Sequence, residues 1–372
     1  MFKFMSMLAL CTSLSTLPPD RQQPTLQSLV ASEPVPVAMY VTGAGMPQPV
    51  AAATGLADPT SGRPLTVDTP LRIASNTKTF VAATVLRLHE QNRIDLDAAI
   101  GPLLDPTLAR LLKEDGFKPD VITVRQLLSH SAGLYDHGGD PRFITTVMSD
   151  PSHVWTPSEL VQLSMTYADP QAAPGVEFRY SDTGYILLGN IIERLTQQPL
   201  ATVVRQSLRF DALGLNDTWW EVTEQQPTGA QPRARQFFDE RDATDVHASF
   251  DLFGGGGLLM STRDLATFMA ALFEDRVFDR KQTLQIMLQQ GSHRGAEGYR
   301  LGMIVKQVAG REIYFHSGFW GTVVYYDPAG KTAVAGMTTR RTAFRSSVTP
   351  LVESVLGLQQ PASECTEGDA SH

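Results

Sequence analysis

The sequence has 372 residues, with 31 Lys and Arg against 39 Asp and Glu, a net charge of −8 and a pI of about 5.5. A chain of this length can bury a large core without disulfides or a structural metal. Nucleic-acid binders need a basic face to neutralise phosphates, so the acidic balance argues against that class. Cys11 and Cys365 lie near opposite ends with no neighbour at metal-ligand spacing. Neither a disulfide framework nor a metal site is therefore expected.

The first 20 residues are predicted to be a signal peptide or a disordered extension. Lys3 precedes a short apolar stretch at residues 4–10, and small residues and a Pro pair follow. This order resembles a weak secretory signal and predicts export to the periplasm or the medium. Leu10 is large where a lipoprotein processing site usually has a small residue, so lipidation is not expected. No internal apolar run approaches the roughly 20 residues that span a bilayer.

The pattern of predicted elements changes twice along the chain. Two β-type runs at 37–42 and 50–55 predict a hairpin, and the apolar spacing of 75–91 predicts a buried helix. Residues 95–290 are mainly helix and loop, with helix-start signals at Thr123, Thr156 and Ser261 and a helix at 183–195. Period-two patterns then predict four strands, at 299–308, 312–317, 322–327 and 332–338. A closing helix is predicted at about 342–356.

This order of strands, helices and strands predicts an α/β fold. We expect an antiparallel sheet formed from both chain ends, flanked by helices, with a mainly helical second lobe. The folded domain is expected over residues 21–358, with an α/β lobe at about 30–90 and 290–358. The helical lobe is then about 91–289, and 359–372 form a polar tail.

Three motifs carry groups with catalytic chemistry. Ser75 and Lys78 open the first long helix, and residues three apart on a helix share a face. A serine hydroxyl needs a neighbouring base, and lysine serves as one only when it is neutral. That condition requires burial or nearby cations, because the free pKa is about 10.4. In isolation, a helix-capping serine with a solvated lysine is the better explanation of the pair.

Tyr180 lies in FRYSDTGYILLGN, on a loop before a helix, where a phenol can relay a proton. His316-Ser-Gly318 ends a predicted strand, where a glycine lets a substrate approach the strand edge. Taken alone, the first motif would be explained by a core tyrosine, and the second by a partly buried histidine on a strand.

The three motifs together resemble the β-lactamase and penicillin-binding protein superfamily, which carries Ser-x-x-Lys, a Tyr- or Ser-based loop motif and Lys- or His-x-Gly on a strand. The chain is most similar to the class C β-lactamase, DD-carboxypeptidase and esterase branch. Further support comes from the phrases QLLSHSAGL (126–134), FRYSDTGYILLGNIIE (178–193) and GGGGLLMSTRDLATF (254–268). The resemblance covers about residues 30–357.

The resemblance implies a role for each motif residue. Ser75 is expected to be acylated, and Lys78 and Tyr180 to share general-base and general-acid duty. His316 is expected near the tyrosine and the anionic or carbonyl end of the substrate. The backbone N–H groups of Ser75 and Phe319 are expected to form the oxyanion hole. The remaining expected substrate-binding residues are Asp182, Ser317, Gly318 and Trp320.

The chain departs from the branch at three places. Asp182 stands where the branch often has Asn, Phe319 and Trp320 are bulky, and the strand motif lacks Lys. These departures argue against strong β-lactam turnover. The expected function is an exported serine hydrolase of the esterase or D-amino-acid peptidase type. It would act on a small ester, amide or peptide without metal or organic cofactor. The alternatives are a DD-carboxypeptidase or weak β-lactamase acting on cell-wall peptides or penicillins, and a non-catalytic sensor that keeps the fold.

Other polar residues are given structural roles. Asp136, His137 and Asp140 lie in a Gly-rich loop and are expected to be solvated rather than to bind a metal. His130 is expected to order a turn. The glycine run 254–257 lacks the Gly-Lys-Ser/Thr ending of a phosphate loop, so we expect a tight loop near the cleft.

Overall fold

The structure is a computed structural model that describes residues 25–358. The predicted signal segment, the polar tail, Cys11 and Cys365 lie outside these residues, so export and lipidation stay predictions. Within residues 25–358, no helix is both long and apolar enough to cross a membrane.

The predicted sheet built from both chain ends is confirmed. Six antiparallel strands follow the order β10-β11-β12-β13-β1-β2, so the last strand pairs with the first. Its strands are β1 (Val37–Thr42), β2 (Val50–Thr54), β10 (Ile304–Val308), β11 (Arg311–Gly318), β12 (Thr322–Asp327) and β13 (Thr332–Thr338).

Three smaller sheets complete the β-structure of the described residues. Their strands are β3 (Leu56–Asp58) with β4 (Arg63–Pro64), then β5 (Leu71–Arg72) with β9 (Leu258–Met260) and β6 (Thr218–Trp220), and β7 (Phe237–Phe238) with β8 (Arg241–Asp242).

The helices follow the predicted order. They are α1 (Leu26–Ala31), α2 (Thr77–Glu90), α3 (Pro106–Glu114), α4 (Val124–Leu128), α5 (Pro141–Ser149), α6 (Pro157–Tyr167), α7 (Asp182–Thr196), α8 (Leu200–Ser207), α9 (Phe210–Leu213), α10 (Thr262–Phe273), α11 (Lys281–Leu288) and α12 (Thr349–Val355).

Capping explains where several of these helices begin. Thr123 and Thr156 each form a capping box with the glutamine or glutamate three residues on, as their sequences predict. Ser261 accepts a hydrogen bond from the Asp264 N–H, but the box there is incomplete. The Asp264 carboxylate instead accepts from the Asp217 N–H and the Thr218 hydroxyl, because the β6 strand packs beside it.

Two element boundaries differ from the prediction. The strand expected at 299–308 begins only at Ile304, because Ala296–Gly298 form a short 3-10 turn and Arg300 is buried with its guanidinium bonded to backbone carbonyls. The closing helix is interrupted, since Phe344–Val348 form a π-helical turn before α12.

The long helix α2 passes through the core and carries the site. Thirteen of its 14 residues are buried, which fits a helix covered on every side. Phe80 stacks on Phe268 of α10 at a centroid separation of 3.9 Å, and α10 in turn packs on β1 and β13. The turn that precedes α2 also contacts β11, so the beginning of α2 lies close to the end of that strand.

Candidate active site

Ser75 lies in a tight turn just before α2. Ala74–Asn76 form one 3-10 turn, and the α-helix begins at Thr77. Ala74 has a φ of 45°, a left-handed conformation that is strained for a residue other than glycine. Lys78 is three residues on and its Nζ lies 2.9 Å from the Ser75 Oγ. The serine and the lysine therefore meet, as their spacing predicts.

The Ser75 turn is tied to the end of β11 and the start of β12. The Asn76 side chain donates to the Ile73 carbonyl and to the Thr322 hydroxyl, both at 2.8 Å. A Cβ on Gly318 would lie 2.1 Å from the Ile73 carbonyl oxygen. Glycine is therefore required at position 318 for this close approach, which holds the Phe319 backbone beside Ser75.

Gly318→Ala is expected to lower kcat/KM for an activated ester by about 10²–10³-fold, the cost of losing one oxyanion-hole donor. The added methyl would push β11 away from the Ser75 turn. Gly298→Ala is the matched control, because a Cβ there meets nothing within 4 Å. Steady-state kinetics of both variants test the prediction, and equal activities would contradict it.

Lys78 is fully buried, and its ammonium contacts three partners. Besides Ser75, the Nζ donates to the Gly255 carbonyl at 2.7 Å and lies 2.5 Å from the Asp182 Oδ1. The glycine run 254–257 therefore lies at the site, as expected. Burial alone would lower the pKa of Lys78, but the neighbouring acidic groups, Asp182 foremost, outweigh it and raise the pKa above its ordinary value.

Asp182 is the first residue of α7, and its carboxylate faces Lys78. Burial would raise the pKa of Asp182, but the Lys78 charge outweighs it and holds the pKa below the ordinary value. The Asp182 carboxylate, which was expected to bind substrate, is therefore engaged in an ion pair with Lys78 that the sequence did not reveal.

Tyr180 stands beside the serine–lysine pair. Its ring centre is 5.2 Å from the Lys78 Nζ, and its phenol interacts with the Ser75 hydroxyl. Burial raises the pKa of Tyr180 above its ordinary value, so the phenol is protonated in the resting site. It can donate a proton to a leaving group.

Two further carboxylates near Lys78 were not assigned to the site from the sequence. Burial, together with the Asp182 charge, raises the pKa of Asp136 and of Asp251 to about 7 each.

The expectation that the loop at 136–140 is solvated was wrong. Asp136 accepts from the Asp182 N–H at 2.9 Å, and Asp140 caps α5. The buried His137 contacts the Thr183 hydroxyl at 2.9 Å.

His316 is neutral in this setting and can act only through hydrogen bonds. Its burial and the Lys78 charge lower its pKa to about 3. The Nδ1 lies 3.0 Å from the Ser317 carbonyl, which can only accept, so Nδ1 carries the proton. The Nε2 then accepts from the Tyr299 hydroxyl at 3.3 Å.

His130 orders the tyrosine loop, in line with its expected structural role. It has a φ of 53°, and its carbonyl accepts from the Arg179 N–H. Its Nδ1 accepts from the Ser181 N–H at 3.1 Å, and its ring lies 4.2 Å from the Tyr180 ring. His130 thus holds both neighbours of Tyr180 and packs on the ring itself.

The Ser75 hydroxyl opens into a pocket of about 620 Å³. Its walls include Ser75, Tyr180, Asp182, His316, Ser317, Gly318 and Phe319, with Asp136, Gly138, Gly139, Ile304, Arg341, Thr342, Phe344 and Arg345. Ser75 and Phe319, whose backbone N–H groups are expected to form the oxyanion hole, thus line the same pocket.

Trp320 is the exception among the expected substrate-binding residues. Its side chain is 1% exposed and packs edge-on against Phe250 and Phe319. It lies behind the pocket wall because Phe319 and Trp320 are the two central residues of the turn after β11, which the Gly321 N–H closes on the Gly318 carbonyl, and their side chains leave this turn in different directions. Trp219 and Trp220, which the sequence left undecided, are also buried.

The described residues 25–358 contain no group of three or more His, Cys, Asp or Glu side chains arranged to hold a metal ion. The groups that meet at Ser75 suit acyl transfer: the serine hydroxyl and the Tyr180 phenol at the pocket wall, the buried Lys78 amine behind them, and the backbone amides of Ser75 and Phe319.

The fold and the convergence of Ser75, Lys78 and Tyr180 define the class of serine hydrolases with a Ser-x-x-Lys site. The chain belongs to the Beta-lactamase family, whose sequence profile matches residues 35–356.

Relatives in this family carry several activities in their names. Esterase EstB of Burkholderia gladioli is 36% identical over 169 residues, 44% of this chain and 42% of that protein. Penicillin-binding protein 4* of Bacillus subtilis (strain 168) is 26% identical over 234 residues, 59% of this chain and 49% of that protein. The chain thus spans about half the length of the curated relatives it matches.

A solved structure agrees over nearly the whole fold. The D-stereospecific amidohydrolase from Streptomyces sp. superimposes with a TM-score of 0.73 at 26% identity, covering 88% of this chain and 97% of that one.

Proposed function

We propose that the chain hydrolyses small esters or amides, including those of D-amino acids, through an acyl-enzyme on Ser75. The observation that carries the proposal is the contact between the Lys78 Nζ and the Ser75 Oγ, 2.9 Å apart, with the serine lining an open pocket. The similarity to an esterase and to a D-stereospecific amidohydrolase supports this substrate class.

In the proposed reaction, a base form of Lys78 takes the Ser75 proton while the Ser75 Oγ bonds to the substrate carbonyl carbon. The backbone amides of Ser75 and Phe319 hold the oxyanion, and Tyr180 or Lys78 returns a proton to the departing alcohol or amine. Water then attacks the acyl carbon and releases the acid. Neutral His316 orients Tyr299 and the pocket wall and contributes no charge to this sequence.

Hydrolysis of peptides with a free carboxylate, as in a DD-carboxypeptidase, is the second candidate. Arg341 and Arg345 line the pocket and form no ion pair within residues 25–358. The Arg341 guanidinium lies 4.2 Å from the Phe319 ring centre, so its charge is held at the pocket mouth. Two unpaired guanidinium groups favour an anionic substrate end.

Intact-protein mass spectrometry tests both candidates. We expect a fluorophosphonate to add to the wild type and not to Ser75→Ala, because Oγ is the nucleophile. Ser292→Ala, an exposed serine away from the Ser75 pocket, is the matched control and keeps the adduct. Turnover of a p-nitrophenyl ester, a D-amino-acid amide, a D-alanyl-D-alanine peptide and a penicillin then ranks the substrate classes.

The absence of any Ser75-dependent adduct would overturn the proposal and favour a non-catalytic sensor. We also propose that the protein is exported, and only the N-terminal sequence supports this part of the proposal. A reporter fused to residues 1–30 and found only inside the cell would contradict it.

A further inference from the structure

The partners of Lys78 leave one direction of its amine aimed at Ser75. The Gly255 carbonyl accepts one N–H at 2.7 Å, and the Asp182 carboxylate, which also can only accept, is in ion-pair contact with the amine at 2.5 Å. The remaining direction points at the Ser75 Oγ, 2.9 Å away. In the ammonium form of Lys78 the third N–H occupies this position, and in the amine form the nitrogen lone pair occupies it. Only the amine can receive the serine proton.

The charges around Lys78 favour the ammonium. Asp182 is in direct contact, and Asp136 and Asp251 act on the same small volume. The three nearby histidines are neutral, because burial lowers the pKa of His137 to about 4, that of His316 to about 3, and that of His130 well below its ordinary value. The remaining facing groups are the protonated phenols of Tyr180 and Tyr185.

We propose that Asp182 is the counter-ion that keeps Lys78 protonated in the resting site, so that acylation of Ser75 requires prior loss of one proton from the Lys78–Asp182 pair. This inference rests on the proposed function. The proton passes to solvent, and the amine then takes the Ser75 proton as Oγ attacks the carbonyl carbon. The re-formed ammonium returns that proton to the leaving group. Asp182 acts here as a positioning residue that sets the working pH.

An asparagine at this position would keep a polar contact with Lys78 but carry no charge. The ammonium would lose its closest anion, and the amine would become accessible at lower pH. The acidic limb of the pH–rate profile reports this proton directly. A purely structural role for Asp182 would lower the rate at every pH and leave the limb in place.

The test is the rate of fluorophosphonate labelling and of p-nitrophenyl ester hydrolysis between pH 5 and 10. In the wild type we expect the rate to rise with pH along the acidic limb, with a midpoint at alkaline pH. In Asp182→Asn we expect the limb to move down by at least one pH unit, which is about a tenfold higher rate below it. Asp251→Asn should move it in the same direction by less. Asp169→Asn, an exposed aspartate, is the matched control and should leave it unchanged.

A limb that stays in place or moves up in Asp182→Asn overturns the inference. A wild-type rate that already reaches its plateau at pH 6 overturns it even if the variant does not fold. Failure of the proposed function is distinguishable, because the wild type would then show no Ser75-dependent labelling at any pH.

Discussion

Lys78→Met is expected to lower kcat/KM for an activated ester by about 10²–10⁴-fold, the range that a general base contributes. It should also lower the free energy of unfolding by up to about 3–5 kcal/mol, because it leaves the partly buried Asp182 carboxylate without its cation. From the sequence alone, Lys78→Ala is expected to abolish turnover with little effect on folding. The full burial of the side chain leads to the opposite expectation.

The double variant Lys78→Met/Asp182→Asn separates the two effects. Removing the unpaired charge should restore most of the stability, while the missing base keeps the activity low. Ser75→Ala is the matched control, since it abolishes acylation without burying a charge. Chemical denaturation measures stability, and an inactive Lys78→Met of wild-type stability would show that the ion pair does not matter to folding.

Trp320→Ala is expected to lower the free energy of unfolding by about 3–5 kcal/mol, as large-to-small changes of a buried Trp do. Its ring packs on Phe250 and Phe319, and the Arg72 guanidinium lies 5.7 Å from it. Because the side chain lies behind the pocket wall, the substrate range should not widen.

Phe319→Ala is the comparison, since Phe319 lines the pocket and is partly buried. It should change KM for bulky esters more than it changes stability. Thermal denaturation and a panel of esters measure both quantities. A stable Trp320→Ala with broader specificity would show that the tryptophan reaches the substrate.

The convergence of Ser75, Lys78 and Tyr180 could be predicted because two kinds of local information agree. A spacing of three on a helix puts the serine and the lysine on one face, and the tyrosine loop directly precedes another helix. The strands at 322–327 and 332–338 were predicted to the residue, since period-two patterns of β-branched residues and the Asp327-Pro-Ala-Gly330 turn between the strands are local signals. The sharing of one sheet by the two chain ends followed from the order of the elements, and the structure adds that β13 is the strand that pairs with β1.

Electrostatics and side-chain direction were decided only by the tertiary structure. The sequence shows that Asp182 replaces the usual Asn, but not that its carboxylate contacts Lys78, nor that Asp136 and Asp251 lie close to them. Those residues are far apart in sequence and meet because α2, α7 and the glycine loop pack together. Trp320 and Phe319 are adjacent, yet one is buried and the other lines the pocket, because the turn between β11 and β12 sends their side chains in different directions. Composition and motif spacing determine the chemical class of such a site, whereas burial and the neighbouring charges determine its protonation state.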